Sequence, residues 1–256
     1  MIFAIVVDWI MSRAMGENTF GLKWTEGKKL TDLDFADDIA LLDDTWDEIK
    51  HLTERVQTEA AKVGLAVNPD KTKVMKIGKW QGTDRIVIKE VPIEEVEDFC
   101  YLGSVMSSNS SCNREIKTRM GKANAVFGRL EKIWKSNGCS VDTKVRLYES
   151  IVLSTLLYGA ETWPITVANG RRLEAAHHRW LRRILHVTWR DKITNKVIRE
   201  RTGQEELGCT IRRKRLTWLG HVARMNTNRR AKQVLNWTPG RKRGRGRIGR
   251  RPSVRT

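Results

Sequence analysis

The sequence predicts an α+β protein, mixed in strand and helix through residue 104 and helical beyond it. Short β-rich runs broken by Pro69, Gly78, Gly82 and Pro92 fill much of the first part, and apolar stripes of 3.6-residue period recur through the second as far as Trp237. The charge divides at nearly the same place. Residues 1–100 carry 13 Lys and Arg against 20 Asp and Glu, a net of −7, whereas residues 101–256 carry 35 against 10, a net of +25. A length of 256 residues is enough to bury a sizeable core. With 40% hydrophobic and 30% charged residues the chain is too apolar for wholesale disorder. Its apolar runs fall short of the roughly 18 residues that a membrane span needs, so no membrane partner is expected.

The opening segment, Met1 to Met15, carries Asp8 and lacks a basic leader, so it reads as a helix rather than a signal sequence. Two short apolar strands follow, Leu30 to Phe35 and Ile39 to Leu42, joined through Ala36, Asp37 and Asp38 as a hairpin with acids at its tip. Thr45 can cap the next helix and Glu48 completes a capping box. Trp46, Ile49, Leu52, Val56, Ala60 and Val63 then recur at helical spacing until Gly64 stops the run. Val74 to Ile77, Arg85 to Lys89 and Phe99 to Leu102 read as short strands. Beyond Asn109 the apolar stripes predict helices around Ile116 to Trp134, Val145 to Leu156 and Leu173 to Leu185, then over Thr194 to Arg201, Glu205 to Met225 and Asn228 to Trp237. The Arg- and Gly-rich tail from Gly240 to Thr256 is low in complexity and is expected to be disordered on its own.

Two chemistries stand out. Asp37 and Asp38 offer hard oxygen ligands side by side on a tight turn, which suits magnesium in phosphoryl transfer, although an ordinary acidic turn is spelled with the same letters. The excess of cations in the second half calls for a polyanion, and nucleic acid is the commonest. Residues 201–256 hold 17 basic and 2 acidic residues. Arg212, Arg213, Lys214 and Arg215 with Trp218, and Arg241, Lys242 and Arg243 in the tail, are the candidates to follow a phosphate backbone. Cys100, Cys112, Cys139 and Cys209 lie far apart without a CxxC pair, which suits a reduced intracellular protein. Cys209, His177, His178 and His221 are zinc-ligand types, but no second cysteine lies near Cys209, so no zinc is expected.

The run Leu33 to Leu42, LDFADDIALL, resembles the metal-binding hairpin of reverse transcriptases from LINE-type, non-LTR retrotransposons. The segments Gly64 to Thr72 and Phe99 to Ser104 follow in the order of that family's palm motifs D and E, after motif C at the hairpin. Leu156 to Trp163 and Trp218 to Met225 resemble stretches found downstream of the palm.

The resemblance implies a partial palm over 1–104, a helical thumb over 105–165, a basic helical extension over 166–240 and a basic tail over 241–256. It also implies that Asp37 and Asp38 bind catalytic magnesium, that Lys71 protonates departing pyrophosphate, and that Tyr101, Leu102 and Gly103 form the primer grip. The partners would be an RNA template with a DNA primer, or an RNA–DNA hybrid, in an intracellular and nuclear setting.

The match begins past motifs A and B, and Asp8 stands in the wrong segment to replace the motif A aspartate. These residues alone are therefore expected to extend no primer, and magnesium is expected only when the missing palm strand completes the site. Two alternatives remain: a non-enzymatic nucleic-acid-binding protein, and a relic too exposed at its strand edges to fold stably.

Overall fold

The structure is a computed structural model that describes residues 2–16, 20–25, 28–78 and 85–236. It is mixed α+β in the order read from the sequence. Helix α1 (Ile2–Met15) buries Val7, Ile10, Met11 and Ala14 against the later helix α2 and leaves Ile2, Phe3 and Ile5 exposed. Strands β1 (Leu22–Thr25) and β2 (Lys28–Leu30) pair antiparallel, and β3 (Asp32–Phe35) pairs with β4 (Asp38–Leu41). Leu30 thus closes a separate ribbon rather than opening the acidic hairpin.

Helix α2 (Trp46–Lys62) starts where expected: the Thr45 hydroxyl accepts from the Glu48 amide at 3.3 Å. The capping box is incomplete. The Glu48 carboxylate takes the Thr45 hydroxyl, while the Thr45 amide goes to Asp43 at 3.2 Å. Gly64 ends the helix at φ +77°, a conformation that costs glycine little.

The next strands are minimal. β5 (Lys73–Val74) pairs parallel with β8 (Glu94–Glu95), and β6 (Val87–Ile88) pairs antiparallel with β7 (Val91–Pro92). β9 (Asp98–Tyr101) and β10 (Ser104–Ser107) form a hairpin whose turn residues Leu102 and Gly103 both have positive φ, the backbone of a type I′ turn. Every sheet among the described residues is two-stranded. The acidic hairpin is therefore not set in a wider sheet as the sequence reading implied, and Leu33 and Phe35 stay exposed on its surface.

The remaining elements are helices. They are α3 (Asn113–Arg129), α4 (Glu131–Lys135), α5 (Val141–Leu147), a π-helical stretch over Tyr148–Leu153, α6 (Ser154–Leu156), α7 (Val167–Ile184), α8 (Asn195–Thr202), α9 (Leu207–Arg224) and α10 (Arg230–Asn236). Their apolar stripes converge on one core that includes Ile116, Phe127, Trp134, Tyr148, Leu156, Trp180, Leu181 and Ile184. Trp134 stacks on Phe127 at 4.9 Å and donates its indole N–H to the Phe127 carbonyl at 2.7 Å. Two smaller cores serve the first hundred residues: α1 with α2, and Ile86, Ile88 and Ile93 beneath the short ribbons. No described helix is long and apolar enough to cross a membrane. All four cysteines are free thiols. Trp237 and the tail, with Arg241, Lys242 and Arg243, lie outside the described residues.

Candidate functional site

Asp37 sits in the two-residue turn with Ala36, whose φ is +56°, and Asp38 opens β4 opposite Phe35. Both carboxylates face solvent and have no hydrogen-bond or ion-pair partner among the described residues. The base of the hairpin is tied down instead. Asp32 is buried and takes the Thr31 hydroxyl at 2.5 Å, and the Leu42 amide donates to the Thr31 carbonyl at 2.8 Å.

A field of acids extends from this base. Burial, then a hydrogen bond and the charge of Asp32, push the Asp34 carboxyl up to about 7. Arg230 from α10 opposes this and Asp8 from α1 adds to it. Asp8 is therefore within electrostatic reach of the hairpin, which its place in the sequence did not suggest. Arg230 also donates to the Asp32 carbonyl at 3.1 Å, so the basic end of the chain touches the acidic hairpin directly.

The second hairpin lies beside the first. The Tyr101 hydroxyl donates to the Leu33 carbonyl at 2.9 Å, and burial followed by the charges of Asp34, Asp38 and Asp32 raises its phenol above the usual range. Its turn is held from the helical side. Tyr158 donates to the Leu102 carbonyl at 3.1 Å, and Arg119 donates to the Gly103 carbonyl. Arg119 is buried, pairs with buried Glu115 at 2.7 Å and covers the Tyr158 ring at 4.3 Å, while the second Glu115 oxygen accepts from the Val105 amide at 2.7 Å. Sequence reasoning missed this pair, because Glu and Arg four residues apart on a helix read as a solvated surface bridge.

The other candidates are placed as follows. Lys71 is exposed on the turn after α2, its amide held by Asn68 at 3.3 Å, and no hydrogen bond or ion pair among the described residues links it to the Asp37 tip. Of the basic run on α9, Lys214 pairs with Glu161 at 2.8 Å, Arg213 with Glu205 at 2.7 Å, and Arg215 donates to the Trp163 carbonyl. Lys214 and Arg215 hold the helix to the segment around Glu161 and Trp163, whereas Arg213 stays exposed and pairs with the residues leading into the helix. Arg212 remains exposed, and Trp218 is half-exposed on the same helix. Asp43, Asp44 and Glu48 also gather at the start of α2, but Asp43 takes the amides of Gly21, Asp44 and Thr45, and Glu48 the Thr45 hydroxyl, which is the work of a helix cap.

Fold and site together describe a mixed α+β protein in which two abutting hairpins, one tipped with acids, are fastened to a basic helical assembly. No protein-family model matches the chain. It is similar to a transposon-derived protein of Caenorhabditis elegans, 28% identical over 223 residues that span 83% of this chain and 78% of that one.

Proposed function

We propose that the chain is the carboxyl-terminal part of a non-LTR retrotransposon reverse transcriptase, an RNA-directed DNA polymerase, comprising the end of a palm, a thumb and a basic extension. The observation that carries this reading is the Tyr101 to Leu33 hydrogen bond, which seats the hairpin of the expected primer grip against the hairpin that displays Asp37 and Asp38. The likeness to a transposon-derived protein supports an origin in a transposable element.

Asp37 and Asp38 fit a magnesium ion as donors: they are hard, exposed oxygens on a short turn and are not already engaged by cations. Bound there, magnesium would stabilise negative charge on transferring phosphate oxygens. The chain's own residues do the rest. The Leu102–Gly103 turn, held by Arg119 and Tyr158, offers backbone groups to a primer end. Lys71, if it swings toward the tip, brings a proton on Nζ. Two-metal transfer needs a further carboxylate strand, which the resemblance assigns to motif A.

The test is extension of a labelled primer on an RNA template with magnesium. The chain alone is expected to add no nucleotide. Supplied with a polypeptide bearing the motif A strand it is expected to extend the primer, and Asp37→Ala is expected to abolish that extension. Extension indifferent to Asp37→Ala would sink the reading. The second reading, a nucleic-acid-binding protein without catalysis, draws on the exposed cations of the helical part and expects affinity that ignores both Asp37 and magnesium.

A further inference from the structure

The groove between α7 and the segment leading into α8 differs in chemistry from both the hairpins and α9. It is open to solvent, encloses about 520 Å³, and includes His178, Arg179, Arg182, Arg183 and Asn195 in its wall, with no acidic residue among the lining side chains. Helical spacing puts these three arginines on one side of α7. Arg182 is aimed by bonds to the Ile193 carbonyl at 2.8 Å and to Asn195 Oδ1 at 2.9 Å. Arg183 is tethered to Glu131, whose carboxyl is held below its ordinary range by hydrogen bonds from Lys135 and Arg183. Arg179 has no hydrogen-bond or ion-pair partner among the described residues and is exposed. Arg179 and Arg182, neither of them paired with a carboxylate among the described residues, form a ready phosphate site, because their planar forks match tetrahedral oxyanions.

Beside the groove stands Trp189, 83% exposed, two residues past Val187, which also lines the wall. Its indole meets the Arg190 guanidinium at 5.6 Å. The loop that displays it is fixed rather than slack: the Thr188 amide and hydroxyl both donate to Asp191, at 2.6 and 2.8 Å. A large flat ring presented on a braced turn next to a cationic groove provides a stacking platform and a phosphate holder together.

We propose that this face binds single-stranded nucleic acid, with a backbone phosphate against Arg179 and Arg182 and an adjacent base stacked on Trp189. A duplex covers its base faces and cannot use the ring, whereas an unpaired base can. The inference rests on the nucleic-acid part of the reading above and assigns it a site away from the hairpins.

The experiment measures fluorescence anisotropy of short fluorescein-labelled oligonucleotides, single-stranded RNA and DNA and a matched duplex, titrated with the full chain. Trp189→Ala is expected to weaken single-strand binding about tenfold, with Trp189→Phe retaining most of it. Arg179→Ala is expected to reduce the slope of log affinity on log salt by about 0.7. Duplex binding is expected to ignore Trp189. Both side chains are exposed, so unchanged thermal melting will show that the variants fold. If the wild type binds the strands and both alanine variants bind equally well, this inference alone falls. If the wild type binds no oligonucleotide, the nucleic-acid reading falls with it. Equal competition by polyglutamate would overturn the assignment to a nucleic-acid strand.

Discussion

The helical part and the acidic part of this molecule solve the same burial problem differently. Between Asn113 and Arg224, helices that satisfy their own backbones share one core, with Trp134, Tyr148 and Trp180 nearly inaccessible at its centre. Before residue 108 the strands among the described residues occur in pairs, each pair with two edges that meet no other described strand, and the apolar residues collect in two small clusters. Leu33 and Phe35 on the acidic hairpin, and Ile2, Phe3 and Ile5 on α1, remain in solvent. A helix needs only one covered stripe, whereas a two-stranded ribbon is marginal until something packs against it. Stability should therefore be concentrated in the helices.

The comparison breaks most readily at Trp134. Trp134→Ala removes a wholly buried ring from the shared core and is expected to cost about 3–5 kcal/mol. Chemical denaturation should show the helical signal lost well before its wild-type midpoint. A shift confined to a few tenths of a kcal/mol would mean that the helical core does not carry the fold.

A second effect, of order 3 kcal/mol, comes with acid. His177 is buried at the centre of α7, its Nδ1 shares a 2.6 Å hydrogen bond with the Tyr148 hydroxyl, and desolvation followed by the neighbouring His178 lowers its pKa from 6.5 to about 4. The folded imidazole thus stays neutral where the unfolded one takes a proton. Its contribution is complete above pH 6.5 and is lost as pH falls toward 4. Urea midpoints measured across that window should drop more steeply for the wild type than for His177→Gln, and parallel curves would refute the buried neutral ring.

The smallest expected effect sharpens the other side of the comparison. Tyr101→Phe deletes a hydroxyl that joins the hairpins and is expected to cost about 1 kcal/mol. Hydrogen exchange should accelerate in Asp32–Leu41 while the α7 amides stay protected. Equal acceleration in both places would show that hairpins and helices open as one unit.

What the sequence disclosed and what it hid follow from the range of the forces involved. Helix α2 was legible because its signals, Thr45 at the start and Gly64 at the end, are local. The acidic hairpin was legible from its turn letters, but its solitude was not, since strand neighbours are a tertiary matter. Two-residue strands such as β5 and β8 carry no period, and their parallel pairing across some twenty residues leaves no trace in sequence. The basic run on α9 read as a phosphate track because Glu161 and the Trp163 carbonyl, which engage Lys214 and Arg215, lie 53 and 52 positions away in the chain. Arg179 escaped notice for the converse reason: it is unremarkable until the fold brings it into one groove with Arg182 and Asn195.

Arg230 and the carbonyl of Asp32 are 198 positions apart along the chain, so their bond closes nearly the whole polypeptide into a ring. The entropy of closing so large a ring grows only with the logarithm of its size, and the bonds of Arg119 and Tyr158 to the second hairpin share the task of holding it. Counterions compete for the Arg230 contact before they disturb any buried group. Ionic strength is thus expected to loosen the contact of α10 with the acidic hairpin first, while Arg119 and Tyr158 keep the second hairpin on the helices.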